Sequence, residues 1–241
     1  MNLKSPHLSP FFAPMAGLLG CGLYHILFTA GLDAKGLPDP AHWSHWALLL
    51  LTALTVLLIL ICRRNITAGE AAYIPSGFSG TGCLVAAAAC FLFGPPAAGT
   101  GSLATADTVL RGITGAMLGI AAFCRFTGRK PHFLLHSAVC IYLAFRLINQ
   151  YRIWSADPQL MEYGFYLCGY VALMLTAYQL AALDAGIGSL KKLWFWAPVS
   201  TFLCFITLAG PQELLFMPMF GFWALSSLCA LKPAPAESED G

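Results

Sequence analysis

Between Phe11 and Gly31 the chain carries no Asp, Glu, Lys or Arg. The same holds from Trp43 to Cys62 and from Gly77 to Ala97. Charge-free apolar runs beyond about 18 residues match the thickness of a bilayer rather than the needs of a soluble core. A segment in lipid must satisfy its own backbone, which leaves helices or closed barrels. A barrel reads as short segments of alternating polarity. Here the runs are continuous, as in Ala47-Leu-Leu-Leu-Leu-Thr-Ala-Leu. Composition agrees: 10% of residues are charged and 58% hydrophobic, against about 25% charged in soluble domains. The expected fold class is all-α, a polytopic transmembrane helix bundle.

Eight spans are expected, at residues 11–31, 43–62, 77–97, 107–126, 131–149, 163–183, 193–210 and 214–231. Together they form one integral membrane domain over residues 1–232, followed by a short acidic tail, 233–241, too polar to bury a core and expected to be disordered. The fourth and fifth spans are the least secure. Their charge-free middles, Gly112 to Cys124 and Phe133 to Phe145, are short, and Arg111 and Arg146 flank them. Six spans result if neither crosses.

Charge supports eight. Lys4, Arg63, Arg64, Arg125, Arg129, Lys130, Lys191, Lys192 and Lys232 fall on one side of such a bundle, and Lys35, Arg111, Arg146 and Arg152 on the other. The positive-inside rule then puts both termini in the cytoplasm. Trp43, Trp46, Tyr151, Trp154 and Tyr163 form an aromatic belt at the outer interface, and Tyr73, Trp194 and Trp196 one at the inner. The first run exceeds the 7–15 residues of a signal-peptide core and reads as a span. The expected location is a bacterial plasma membrane.

Net charge is +2 and no basic cluster exceeds three residues, which argues against nucleic-acid binding. The nine cysteines lie in or beside apolar stretches without a C-x-x-C pair, so they read as small packing residues. No cofactor, catalytic residue or metal site is expected.

The main candidate site lies around the link between the fifth and sixth spans. Arg146 and Asn149 are three apart and share a helix face. Glu162 opens the sixth span, with Tyr166 and Tyr170 at four-residue steps, and Arg111 and Glu213 enter at the same depth. Ionisable groups near hydrocarbon face the bundle interior and find partners. These seven residues form either a small outward-open pocket whose arginines hold an anionic group, or a structural cap in which arginines pair with Glu162, Glu213 or Asp157.

Other patterns have plainer readings. His132, His136 and Cys140 recur on one helix face, a spacing that can suit a metal, yet no further ligand matches their depth. Gly77-Phe78-Ser79-Gly80 resembles the GxSG of rhomboid intramembrane proteases, which implies Ser79 as nucleophile. The resemblance covers four residues and lacks the family's pattern around its histidine, and small residues that let helices approach closely explain the stretch. Gly115 and Gly119 form a GxxxG, joined by Gly112. Pro14, Pro198 and Pro218 are expected to kink spans or sit near their ends.

No nucleotide-binding loop and no acidic pair at mid-depth is evident. The expected function is a non-enzymatic protein that binds or transports a small solute through the bundle. The alternative is an accessory or sensor subunit with a membrane-protein partner or a second copy of itself.

Overall fold

The computed structural model describes residues 11–33, 39, 41–64, 66, 71–94, 101–155, 160–209 and 215–233. Eight α-helices occur among them: α1 Phe12–Thr29, α2 Trp43–Arg64, α3 Gly77–Leu92, α4 Ser102–Thr127, α5 Phe133–Trp154, α6 Leu160–Asp184, α7 Leu190–Ile206 and α8 Phe216–Ser227. Short 3-10 turns extend α7 through Ala209 and α8 through Ala230. Six helices, all but α3 and α8, are long and apolar enough to cross a membrane.

The spans that looked weakest are therefore among the long ones. Helix α4 begins at Ser102, five residues before the expected start, and α5 runs on to Trp154. Their arginines do not interrupt the apolar surface, because Arg146 turns inward and is 1% exposed. The short helices are α3 and α8. Helix α3 stops at Leu92, where Phe93 and Gly94 leave the helix, and residues 95–97 of the expected span lie outside the described set. Twelve residues make α8 about 18 Å long. It is apolar all round and almost wholly buried, the signature of a helix inside a bundle rather than against lipid.

The consecutive helices α5, α6 and α7 run antiparallel to one another, whereas α1 runs parallel to α7, Gly17 meeting Phe202 and Gly20 meeting Ile206. Cys140 of α5 approaches the Met174 carbonyl of α6, and Tyr166 of α6 donates to the Thr207 carbonyl after α7 at 3.0 Å. Thr176 of α6 meets Ser200 of α7. Helices α3 to α8 close into a ring, α3 packing on α4 and α8, and α5 on α4 and α6. Helices α1 and α2 flank α7 outside it and form a second, smaller core with Tyr24, Leu48, Phe202 and Ile206. Large apolar side chains such as Met15, Leu19, Leu50, Phe123 and Ile141 remain exposed on the outer faces. A soluble monomer rarely shows that much apolar surface.

One element was not foreseen. Strands β1 Ala71–Tyr73 and β2 Leu231–Pro233 pair antiparallel, with Tyr73 opposite Leu231. They tie the segment before α3 to the segment after α8. Pro233, assigned to the tail, is thus the last residue of β2, and residues 234–241 lie outside the described set.

Glycine and proline have uneven roles. Within the Gly112/Gly115/Gly119 set, among the described residues only Gly115 is a close approach: a Cβ there would lie 2.6 Å from the Phe91 ring, whereas Gly112 and Gly119 meet none of them. Pro14 and Pro218 occupy first turns, where no N–H is needed, and only Pro198 is interior. Gly17 packs against α7, and a Cβ would come within 2.8 Å of the Phe202 carbonyl oxygen. Backbone cannot swing aside, so Gly17→Ala should cost about 1–3 kcal/mol. Thermal unfolding in detergent checks this, with Gly119→Ala expected to match the wild type.

Candidate functional site

Two buried polar clusters occupy opposite ends of the ring. The first holds most of the expected site. Asp107, on the second turn of α4, is fully buried, and Arg146 of α5 donates from Nη1 to its Oδ2 at 3.2 Å. Asn149 and Gln150 are buried one turn further along α5. Tyr166 and Tyr170 of α6 belong to the same core, as does Tyr142. Among the described residues, Asp107 Oδ1 and the Asn149 Nδ2 amide have no hydrogen-bond partner.

Of the seven expected residues, Arg146, Asn149, Tyr166 and Tyr170 are therefore buried at one end of the α5–α6 pair. Arg111 is half-buried, its guanidinium lying so close over Gly94 that a Cβ there would collide with it. Glu162 is on the first turn of α6, but its side chain, like all of Glu213 and Asp157, lies outside the described residues. Asp107, the carboxylate that meets Arg146, marks only the start of a span in the sequence reading. A signal was present: it precedes Arg111 by one turn.

The second cluster, at the other end, was missed. Asp184 is the last residue of α6, where a carboxylate meets the negative end of the helix dipole. Two donors offset this. Tyr73 Oη donates to Oδ1 at 2.5 Å, and His136 Nδ1 of α5 pairs with Oδ2 at 2.5 Å. The carboxylate fixes a proton on Nδ1 and leaves Nε2 facing the interior. Burial, then the charge and hydrogen bond of Asp184, hold the Tyr73 phenol well above its ordinary range.

Local sequence explains how Tyr73 arrives. Ile74 N–H donates to the Ala230 carbonyl, Ser76 N–H to the Arg125 carbonyl, and Ser76 Oγ caps α3 by accepting from Ser79 N–H. Beneath this lid, Arg125 of α4 lies 5.0 Å from the Tyr73 ring centroid and is 1% exposed. The charge pattern places it at the basic side of the bundle, at the end of the fourth span. The structure instead turns it inward from the last turn of α4, where the helix dipole favours a cation.

His136 is also separated from its expected companions. His132 is the N-cap of α5, accepting weakly from Leu134 N–H at 3.4 Å, and Cys140 faces α6. Among the described residues no three His, Cys, Asp or Glu side chains come together. Ser79 is buried at this same end, but among the described residues neither its Oγ nor His136 Nε2 has a hydrogen-bond partner, so the two do not pair. The Gly80 position meets the Phe126 ring and Gly82 meets Ser226, so the GFSG stretch serves close packing.

An aromatic column joins the clusters. The His136 ring stacks on Trp223 at 6.1 Å, Trp223 lies 5.8 Å from Phe220, Phe220 lies 4.7 Å from Phe216, and Phe216 lies 6.3 Å from Tyr142. Ten residues of α5 separate His136 from Arg146, about 15 Å.

Tyr73 gives a pH test. A phenol whose folded pKa is raised keeps its proton where the unfolded chain loses it, so stability falls once pH exceeds about 10. The slope is about 1.4 kcal/mol per pH unit. Subtracting the Tyr73→Phe profile from the wild-type denaturation profile should isolate it.

No protein-family model matches the chain, and no curated protein or solved structure matches it.

Proposed function

We propose that this protein crosses the plasma membrane eight times, with both termini in the cytoplasm, and binds or transports a small solute through the α3–α8 ring. The observation that carries this reading is the pair of buried charged clusters, one at each end, separated by an aromatic column. Buried charge in a membrane bundle is costly and is concentrated where solutes or ions pass. Short α3 and α8 suit eight crossings, because each packs on helices long enough to span, α3 on α4 and α8 on α7, and α8 has almost no face toward lipid.

In this reading Arg111, Arg146, Asn149, Glu162, Tyr166, Tyr170 and Glu213 form the outer binding group. Asp107 balances Arg146 in the resting state, and an anionic solute competes with it for the guanidinium. The rings of Phe216, Phe220 and Trp223 block the way to the inner cluster and must move for passage.

Transport is tested in proteoliposomes by uptake of labelled acetate, succinate, glutamate and phosphate. The wild type should accumulate at least one, and Arg146→Ala and Arg111→Ala should each reduce uptake by tenfold or more (on the scale of a lost charge-assisted hydrogen bond), measured per amount of protein that elutes as folded. Uptake unchanged in both folded variants counts against the reading.

One observation favours the accessory or sensor alternative. Gly112 and Gly119 open outward on α4 beside exposed Ile113 and Ile120, a surface on which another helix can approach closely. That alternative requires a stable co-purifying partner, and recovery as a lone monomer in mild detergent speaks against it.

A further inference from the structure

We infer that the Asp184 end of the bundle contains a binding site for a compact oxyanion, formed by Arg125, Trp223, His136 and Ser79. The site stands independently of solute passage, since it requires binding alone.

The argument begins with Arg125. A guanidinium has five N–H donors and no acceptor. This one is 1% exposed, and its Nε, Nη1 and Nη2 have no hydrogen-bond partner among the described residues. The Tyr73 ring face lies 5.0 Å away and attracts the cation, but it offers no lone pairs to five N–H groups. Asp184, the carboxylate of this cluster, is occupied by Tyr73 and His136.

Three other buried groups are short of acceptors. Trp223 Nε1 reaches only the Cys83 thiol, a weak acceptor, and His136 Nε2 and Ser79 Oγ have no partner among the described residues. They come from α8, α5 and α3, while Arg125 comes from α4. Cys83, one turn beyond Ser79, accepts from Trp223 and lies near Arg125, and the Trp223 ring stacks on His136. These groups thus belong to one cluster at one end of the ring.

Their chemistry is largely one-sided. Arginine and tryptophan only donate, serine can donate, and His136 Nε2, with the proton on Nδ1, can accept from a protonated oxyanion oxygen. A ligand must bring acceptors. Arg125 is the positive charge an anion would meet, since both oxygens of Asp184 are taken by Tyr73 and His136. The planar guanidinium fork matches carboxylate and phosphate oxygens. All four side chains are at most 1% exposed, so the ligand is small or presents only a small headgroup. Free oxyanion and lipid phosphate share this chemistry.

The test uses the full chain purified in a neutral detergent without phosphate. Thermal unfolding is followed against inorganic phosphate, against dihexanoyl phosphatidic acid as the lipid-borne form, and against sodium chloride at matched ionic strength. Phosphate should raise the midpoint saturably where chloride does not. A response to phosphatidic acid but not to phosphate assigns the source to lipid and supports the same site. Arg125→Gln should abolish the response. Trp223→Phe keeps the ring stack and removes one N–H, and should weaken apparent affinity about tenfold. If Arg125→Gln does not fold, Trp223→Phe and Ser79→Ala decide. The proposal is overturned if neither phosphate form shifts the wild type, or if the shift is unchanged in every variant that folds.

Discussion

Asp107→Ala should destabilise the folded bundle by about 3–5 kcal/mol, because it leaves Arg146 buried without the carboxylate it faces. The two side chains are 0% and 1% exposed, so water cannot replace the lost oxygen without opening the packing between α4 and α5. The pair itself contributes much less than this cost. Removing both charges together, as in Asp107→Leu with Arg146→Met, replaces two expensive desolvated groups by apolar ones of similar volume. Such replacements are often neutral or stabilising. The double variant should therefore unfold near the wild-type midpoint. Unfolding in mixed detergent micelles, run on the wild type, both single variants and the double variant, measures this directly. A small effect in Asp107→Ala would mean that Arg146 has another anionic partner.

Asp184→Ala should have the other large effect, again about 3–5 kcal/mol. One carboxylate accepts from Tyr73 and pairs with His136, and its negative charge offsets Arg125 beside them. Its removal leaves a phenol and an imidazole without the acceptor they share, and a buried guanidinium without the negative charge in its cluster. Tyr73→Phe deletes only one neutral donor and should cost about 1 kcal/mol. His136→Ala removes one of two donors to Asp184 and the stack on Trp223, and should fall between these values. That ordering, read from detergent unfolding midpoints, distinguishes an acceptor at the centre of the cluster from three independent contacts.

The helices were legible because lipid-length apolar runs leave few alternatives. Their ends were less so, and the reason is visible at α4 and α5. Arg111 and Arg146 were read as limits to a span, yet Arg146 is drawn inward by a carboxylate 39 positions earlier in the chain. Helical spacing identifies which residues share a face but not what packs on that face. It grouped His136 with His132 and Cys140, whereas its partner, Asp184, is 48 residues away on the next helix. Arg125 illustrates the same limit. A basic residue near a helix end fits the positive-inside pattern, and nothing adjacent in sequence announces that β1 will cover it. The strands are three residues each and acquire their identity only by pairing across most of the chain. At the Asp107 end the sequence was more informative, since Arg146, Asn149, Tyr166 and Tyr170 follow helical repeats on two neighbouring helices.

Uptake by the Asp107→Leu/Arg146→Met double variant tests most directly whether the buried charges serve a solute or only the fold. This variant keeps the packing volume and removes both charges, so folding and function separate. The expected result is a protein that unfolds near the wild-type midpoint and has lost at least nine-tenths of wild-type uptake (about 1.4 kcal/mol per factor of ten). Wild-type uptake in a folded double variant would contradict a solute-binding role for this end of the bundle.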